Sequence, residues 1–132
     1  MKPIKVQLTP YPAPRPRFSR YGTYNPKKYT DYKNNFLQLS KIQCKTHFNG
    51  ALRLDVTFFM QIPKSLSKKK HIELIGDYHI KKPDADNLIK TVKDSLEGTF
   101  YKNDSQICEI FAKKVYSTEP RTEFLITEIG EE

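Results

Sequence analysis

Cysteine is scarce in this chain. Cys44 and Cys108 stand far apart and form no C-x-x-C. That excludes a disulfide framework and a thiolate zinc site, and it points to free thiols in a reducing compartment. Histidine is equally thin: His47, His71 and His79 show no metal-ligand spacing, so a zinc centre has no ligand cluster to draw on. No stretch approaches the roughly 20 apolar residues of a membrane span. The N-terminal MKPIKVQLTP lacks the apolar centre of a signal peptide. The expectation is a cytoplasmic protein with no membrane partner. The prolines of PYPAPRP alternate with other residues, so they make no P-x-x-P ligand for an SH3 domain. Internal repeats and low-complexity linkers are missing too, which leaves one domain over 1–132.

Acid is the minority charge. Fifteen Asp and Glu face 23 Lys and Arg, for a net charge of +8. Such an excess favours a polyanionic partner, nucleic acid before an acidic membrane surface. Apolar residues at 37% against 29% charged still allow a folded core in a chain of this length.

Periodicity sketches the elements. Ile4, Val6 and Leu8 alternate as a first strand. Residues 10–29 are proline-rich, basic and aromatic, with Gly22 expected to turn a short hairpin. Asn25-Pro26 reads as a cap followed by a first-turn proline. Behind it, Tyr29, Tyr32, Phe36, Leu39 and Ile42 form a helical stripe that ends before Asn49-Gly50. Leu52, Leu54, Val56, Phe58, Met60 and Ile62 alternate strictly, as in a half-buried strand. A short helix capped by Ser65 or Ser67 stops near Gly76. Another runs from KKPDADNLIK to Gly98. The strands ICEIFAKKVY and EFLITEI close the chain, with Pro120-Arg121 in the turn between them. Four strands with interspersed helices predict a compact α+β domain, a mixed four-stranded sheet packed against two or three helices.

KKPDADNLIK, residues 81–90, is the odd stretch in so basic a chain. At 100° per residue, Leu88, Ile89, Val92 and Leu96 share one side of the helix, and Asp86, Lys90, Lys93, Asp94 and Glu97 the other. Pro83 pushes Lys82 toward extended backbone and helps set the helix start, which puts Asp84 and Asp86 at the first turn. There aspartates cap a helix and suit its dipole, and Asp86 with Lys90 forms a pair worth about 0.2–0.5 kcal/mol. The same residues also suit phosphoryl chemistry. Mg²⁺ takes carboxylate oxygens, keeps waters, and polarises a phosphate while activating the attacking water. A lysine one turn away adds charge where the transition state is most negative. On these residues alone both uses stay open. Two aspartates where one cap suffices, flanking Lys81 and Lys82, and Asp104 in a turn beyond Gly98 favour the second.

PDADNLIKTVKDSLEGTFYKNDSQI, residues 83–107, resembles the RusA family of Holliday-junction resolvases, found in bacteria, phages and prophages. The shared pattern is D-x-D-N-L-x-K, an apolar helix, then an aspartate before S/A-Q-[IV]. PAPRPRFSRYGTYNPKKYTDY and the terminal EFLITEIGEE are similar to the family more loosely. The resemblance implies a homodimeric endonuclease that uses Mg²⁺, with Mn²⁺ as a possible substitute, to cut four-way DNA junctions by paired symmetric nicks in recombination and repair. Carried over by position, it implies Asp84, Asp86 and Asp104 as catalytic metal ligands and Lys90 as the catalytic lysine. Some members carry aspartate where Asn103 stands, and arginine where Pro83 stands. Lys81 or Lys82 then takes the phosphate-contacting part.

Arg15, Arg17, Arg20, Lys27 and Lys28 interleave with Phe18, Tyr21, Tyr24 and Tyr29, with no acid among them. Basic side chains there would meet phosphates, and aromatics could stack on unpaired bases, although Tyr29 also belongs to the helical stripe and Phe18 suits a core or an interface. Lys68-Lys69-Lys70 reads as a solvated helix face. A four-way junction is two-fold symmetric, so a two-fold dimer suits it. Two other functions compete: a non-catalytic DNA-binding or architectural protein whose aspartates only cap a helix, and a nuclease of flaps or forks.

Overall fold

The structure, a computed structural model, describes residues 2–14, 17–19, 22–24 and 26–130. In chain order the elements are β1 (Ile4–Val6), β2 (Arg17–Ser19), β3 (Gly22–Tyr24), α1 (Lys27–Gln43), β4 (Leu52–Gln61), α2 (Lys68–Leu74), α3 (Ala85–Leu96), a 3₁₀ turn (Asp104–Gln106), β5 (Ile107–Ser117) and β6 (Arg121–Glu128).

The strict alternation of β4 makes it the centre of the sheet. Leu52, Leu54, Val56, Phe58 and Met60 are all buried, and the residues between them are half-buried. The strand order is β1-β6-β4-β5. β6 is antiparallel to both β1 and β4, whereas β5 is parallel to β4. A parallel neighbour needs a crossover, and α2 with α3 supplies it. The domain is therefore α+β with a mixed four-stranded sheet and three helices, and β2 and β3 pair as a separate hairpin. Gly22 opens β3 opposite Ser19, where the chain re-enters the hairpin.

One core joins the sheet to α1 and α3. Phe36 stacks on Phe124 at 5.8 Å, and Leu88, Val92, Leu96, Phe100 and Tyr101 close around them. Each large apolar side chain taken out of water there contributes about 1.5–3 kcal/mol. The helical stripe of α1 holds through Tyr29 and Phe36 but fails at Ile42, which is 75% exposed in the last turn. Ser40 takes the inward position instead, and its hydroxyl donates to the Phe36 carbonyl at 2.8 Å. α1 also begins one residue later than expected, with Pro26 as its cap; Asn25 lies outside the described residues. Ser67, not Ser65, caps α2 by accepting from the Lys70 amide. Gly98, at φ +89°, turns the chain just beyond α3, a left-handed conformation that glycine adopts without strain.

Candidate nuclease site

α3 carries the D-x-D motif at its mouth. Asp84 is the N-cap residue and Asp86 sits in the first turn. The helix starts when the Leu88 amide donates to the Asp84 carbonyl at 3.3 Å. Yet the Asp84 side chain makes no capping hydrogen bond. Among the described residues the Asp86 carboxylate accepts only from the adjacent Asn87 amide, at 3.1 Å. Both residues are exposed. An N-cap aspartate normally spends its oxygens on the first-turn amides. Here the two carboxylates stay available, at the end of the helix whose dipole favours negative charge.

The next turn is occupied differently from the sequence expectation. Lys90 donates to Asp94 at 3.1 Å rather than to Asp86. Asp94 also accepts the Tyr29 hydroxyl at 2.9 Å, which ties α1 to α3. Burial first, and Asp94 second, push the Tyr29 phenol far above its usual range, so it stays a neutral donor. Lys90 is thus held one turn from Asp86 on the exposed side of α3.

The proline-rich segment runs along the same helix. The Ala13 amide donates to the Asn87 carbonyl at 3.0 Å, and the Thr91 hydroxyl donates to the Tyr11 carbonyl at 2.8 Å. Tyr11 stacks on Tyr32 at 5.1 Å. These contacts lead the chain past the D-x-D end of α3 just before the basic hairpin. Arg15 and Arg20 lie outside the described residues, and Arg17 is placed by its backbone in β2, opposite Tyr24. Lys27 and Lys28 are exposed in the first turn of α1, Lys27 within 3.4 Å of Asp31. Lys81 and Lys82 are exposed on the loop that enters Asp84. Lys68, Lys69 and Lys70 form an exposed face of α2, as expected.

Asp104 is elsewhere. Its amide donates to the Glu97 carboxylate at 2.8 Å, and Glu97 is the C-cap of α3. Asp84 and Glu97 close opposite ends of a 12-residue helix, about 18 Å of rise. Among the described residues no group of three His, Cys, Asp or Glu side chains could hold a metal ion. The turn after α3 does not return Asp104 to Asp84 and Asp86 within one chain. The reason is geometric: β5 starts at the far end of the helix, and only its other end comes back to the mouth.

What comes back is Lys114. Its ammonium donates to the Lys81 carbonyl at 2.7 Å and to the Pro83 carbonyl at 2.6 Å, and its own carbonyl accepts the His79 amide at 3.0 Å. The sequence held a signal for this residue. Ala112, Lys114 and Tyr116 share one parity of β5, and a lysine in register with buried Tyr116 is out of place unless it has partners.

His79 lies beside that loop, its ring 4.8 Å from Tyr116 and its Nδ1 buried without a hydrogen-bond partner among the described residues. Burial, then the Lys114 and Lys81 charges, hold its pKa below the ordinary value. The folded state therefore prefers the neutral ring. As pH falls below the unfolded value near 6.5, the unfolded chain takes up a proton that the folded one resists, and stability drops until the folded ring is protonated too. Thermal midpoints measured from pH 7.5 to 5 should fall less steeply for His79→Gln than for the parent.

No helix among the described residues is long and apolar enough to cross a membrane. The family model described as endodeoxyribonuclease RusA matches residues 7–127. "Uncharacterized protein YqaN" of Bacillus subtilis (strain 168) is 36% identical over 98 residues, 71% of this chain and 69% of that protein. "Crossover junction endodeoxyribonuclease rusA" of Lactococcus phage r1t is 38% identical over 95 residues, 70% of this chain and 67% of that one. A domain-wide match of this kind cannot arise from a capped helix on an architectural protein, and the chain belongs to the RusA family of endodeoxyribonucleases.

Proposed function

We propose that the protein is a Mg²⁺-dependent endonuclease that resolves four-way DNA junctions by paired symmetric nicks, in recombination and repair. The observation that carries this is the pair of carboxylates, Asp84 and Asp86, left free by capping at the mouth of α3. Their oxygens fit Mg²⁺, which is commonly held by one or two carboxylates together with water and substrate phosphate. Mn²⁺ accepts the same donors. A bound ion would supply Lewis acidity and an activated water at the scissile phosphate. Lys90 would add charge to the phosphate as it becomes more negative. Lys81, Lys82, Lys27, Lys28, Arg15, Arg17 and Arg20 would hold the DNA backbone beside the acidic pair. The phage relative named a crossover junction endodeoxyribonuclease supports the four-way junction as substrate.

The homodimer is part of the same proposal. β5 is the edge of the sheet. Residues 76–79 cover its outer side only at Lys114–Tyr116. From Ile107 to Lys113 no strand pairs with that side among the described residues, and Ile110 and Phe111 are 45% and 58% exposed. A long apolar edge left open invites pairing. A second copy laid antiparallel along it would bring the start of β5 in one chain to the end of β5 in the other. Asp104 of each chain would then approach the Asp84–Asp86 end of its partner, which accounts for their separation within one subunit.

Cleavage of a synthetic four-way junction, a flap and a plain duplex of matched sequence decides the substrate. The junction should be cut far faster than the other two, at symmetric positions on two strands. Equal or faster cutting of the flap would transfer the assignment to other branched DNA, and no cutting with Mg²⁺ or Mn²⁺ would overturn it.

A further inference from the structure

We infer that Lys114 is a positioning residue for the metal site, setting the backbone from which Asp84 projects. This rests on the proposed metal-dependent chemistry. Among the described residues Lys114 has no carboxylate partner. Instead one ammonium bridges two carbonyls, Lys81 at 2.7 Å and Pro83 at 2.6 Å. The second of these belongs to the peptide that joins Pro83 to Asp84. From the other direction, the Lys114 carbonyl takes the His79 amide at 3.0 Å, so a single residue of β5 holds both ends of the 79–83 segment. The neighbouring Tyr78 bridges to Val115, and the Gly76 and Tyr116 amides tie residues 76–77 to Tyr116. The segment is thus laid on a rigid strand up to the residue before the first carboxylate.

The chemistry explains why a cationic donor suits this place. An ammonium has three donors and no acceptor, so it can draw two carbonyls toward one point, as it does here with those of Lys81 and Pro83. Charge-assisted bonds to carbonyls are also shorter and stronger than neutral ones. The sharpness of the helix mouth matters because α3 leaves the Asp84 side chain without a cap bond of its own. The carboxylate direction then depends on the peptide before it. Lys114 fixes that peptide through its carbonyl.

The test is Lys114→Met, with Mn²⁺ binding measured by isothermal titration calorimetry on the full-length protein, and junction binding by gel shift in Ca²⁺. Outer-shell partners of metal ligands typically contribute 10–100-fold in metal affinity. Mn²⁺ affinity should fall by about that factor while junction affinity stays within about twofold. Lys114→Arg, which retains two donors to the carbonyls, should recover most of the Mn²⁺ affinity, and it serves as the informative variant if the methionine protein does not fold. Unchanged Mn²⁺ affinity in a folded Lys114→Met protein overturns the inference, and so does equal loss in both variants. Parent protein that binds no Mn²⁺ and cuts no junction would instead overturn the metal-dependent function, so the two failures are distinguishable.

Discussion

Asp86→Asn should abolish metal-dependent nicking and leave junction binding intact. The residue is exposed in the first turn of α3, and among the described residues its carboxylate is engaged only by the neighbouring Asn87 amide. Replacing it therefore removes an oxygen donor without removing a contact that holds the fold. The lost helix-dipole interaction is worth about 0.3–1 kcal/mol, too little to unfold a domain with this core. Losing a preorganised electrostatic group in an active site typically costs 10²–10³-fold, and a metal ligand should cost at least about that. Removing one negative charge from a surface that meets phosphate should leave affinity equal or slightly higher. Single-turnover nicking of a labelled four-way junction in Mg²⁺, beside a gel shift in Ca²⁺, reads both quantities. Near-parental nicking by the variant would reduce Asp86 to a first-turn residue of a helix.

Mixing two inactive chains should restore cutting. Asp104→Asn is expected to be as inactive as Asp86→Asn, although the two residues lie toward opposite ends of a 12-residue helix. If each site takes Asp84 and Asp86 from one chain and Asp104 from its partner, a mixed dimer of the two variants has one site doubly damaged and one intact. It should nick one strand of the junction at close to the parental rate per site, and make no paired cuts. If all three carboxylates served one site within a chain, every site of the mixed dimer would be damaged and the mixture would stay silent. Differently tagged chains, purified as the mixed dimer, make the comparison clean. Phe111→Cys, in a background with Cys44 and Cys108 replaced by serine, should form a disulfide between chains if β5 lies near the two-fold axis.

The fold was legible where burial imposes a period. β4 alternates because one side of it is core, and α3 shows its apolar side because Leu88, Val92 and Leu96 all meet the sheet. Ile42 misled because a helical stripe says which side faces inward but not where the sheet beneath it ends. Thr91 and Ser95 were invisible as buried positions, since nothing in a hydroxyl's sequence context shows that Tyr11 and the helix carbonyls will satisfy it. That Asp84 and Asp86 sit at the mouth of a helix was legible in types and spacing. The distance to Asp104 was not, because a turn after a helix does not tell how far from the helix mouth the next strand begins. Lys114 was missed for a related reason: its partners are carbonyls, which every residue has, so they emerge only in the folded chain.

The placement of β6 carries a consequence for how the chain folds. β6 is the last strand in sequence, yet it alone joins β1 to β4. Until it is made, the first strand has no neighbour in the sheet, and β4 offers an open apolar side with only β5 available to it, in a parallel arrangement that needs the whole α2–α3 crossover. Pairings this distant in sequence are slow to form because the loop must be closed before any contact rewards it. Folding should therefore be limited by a late step that unites both ends of the chain, and a nascent chain still lacking β6 should expose β4 to chaperones.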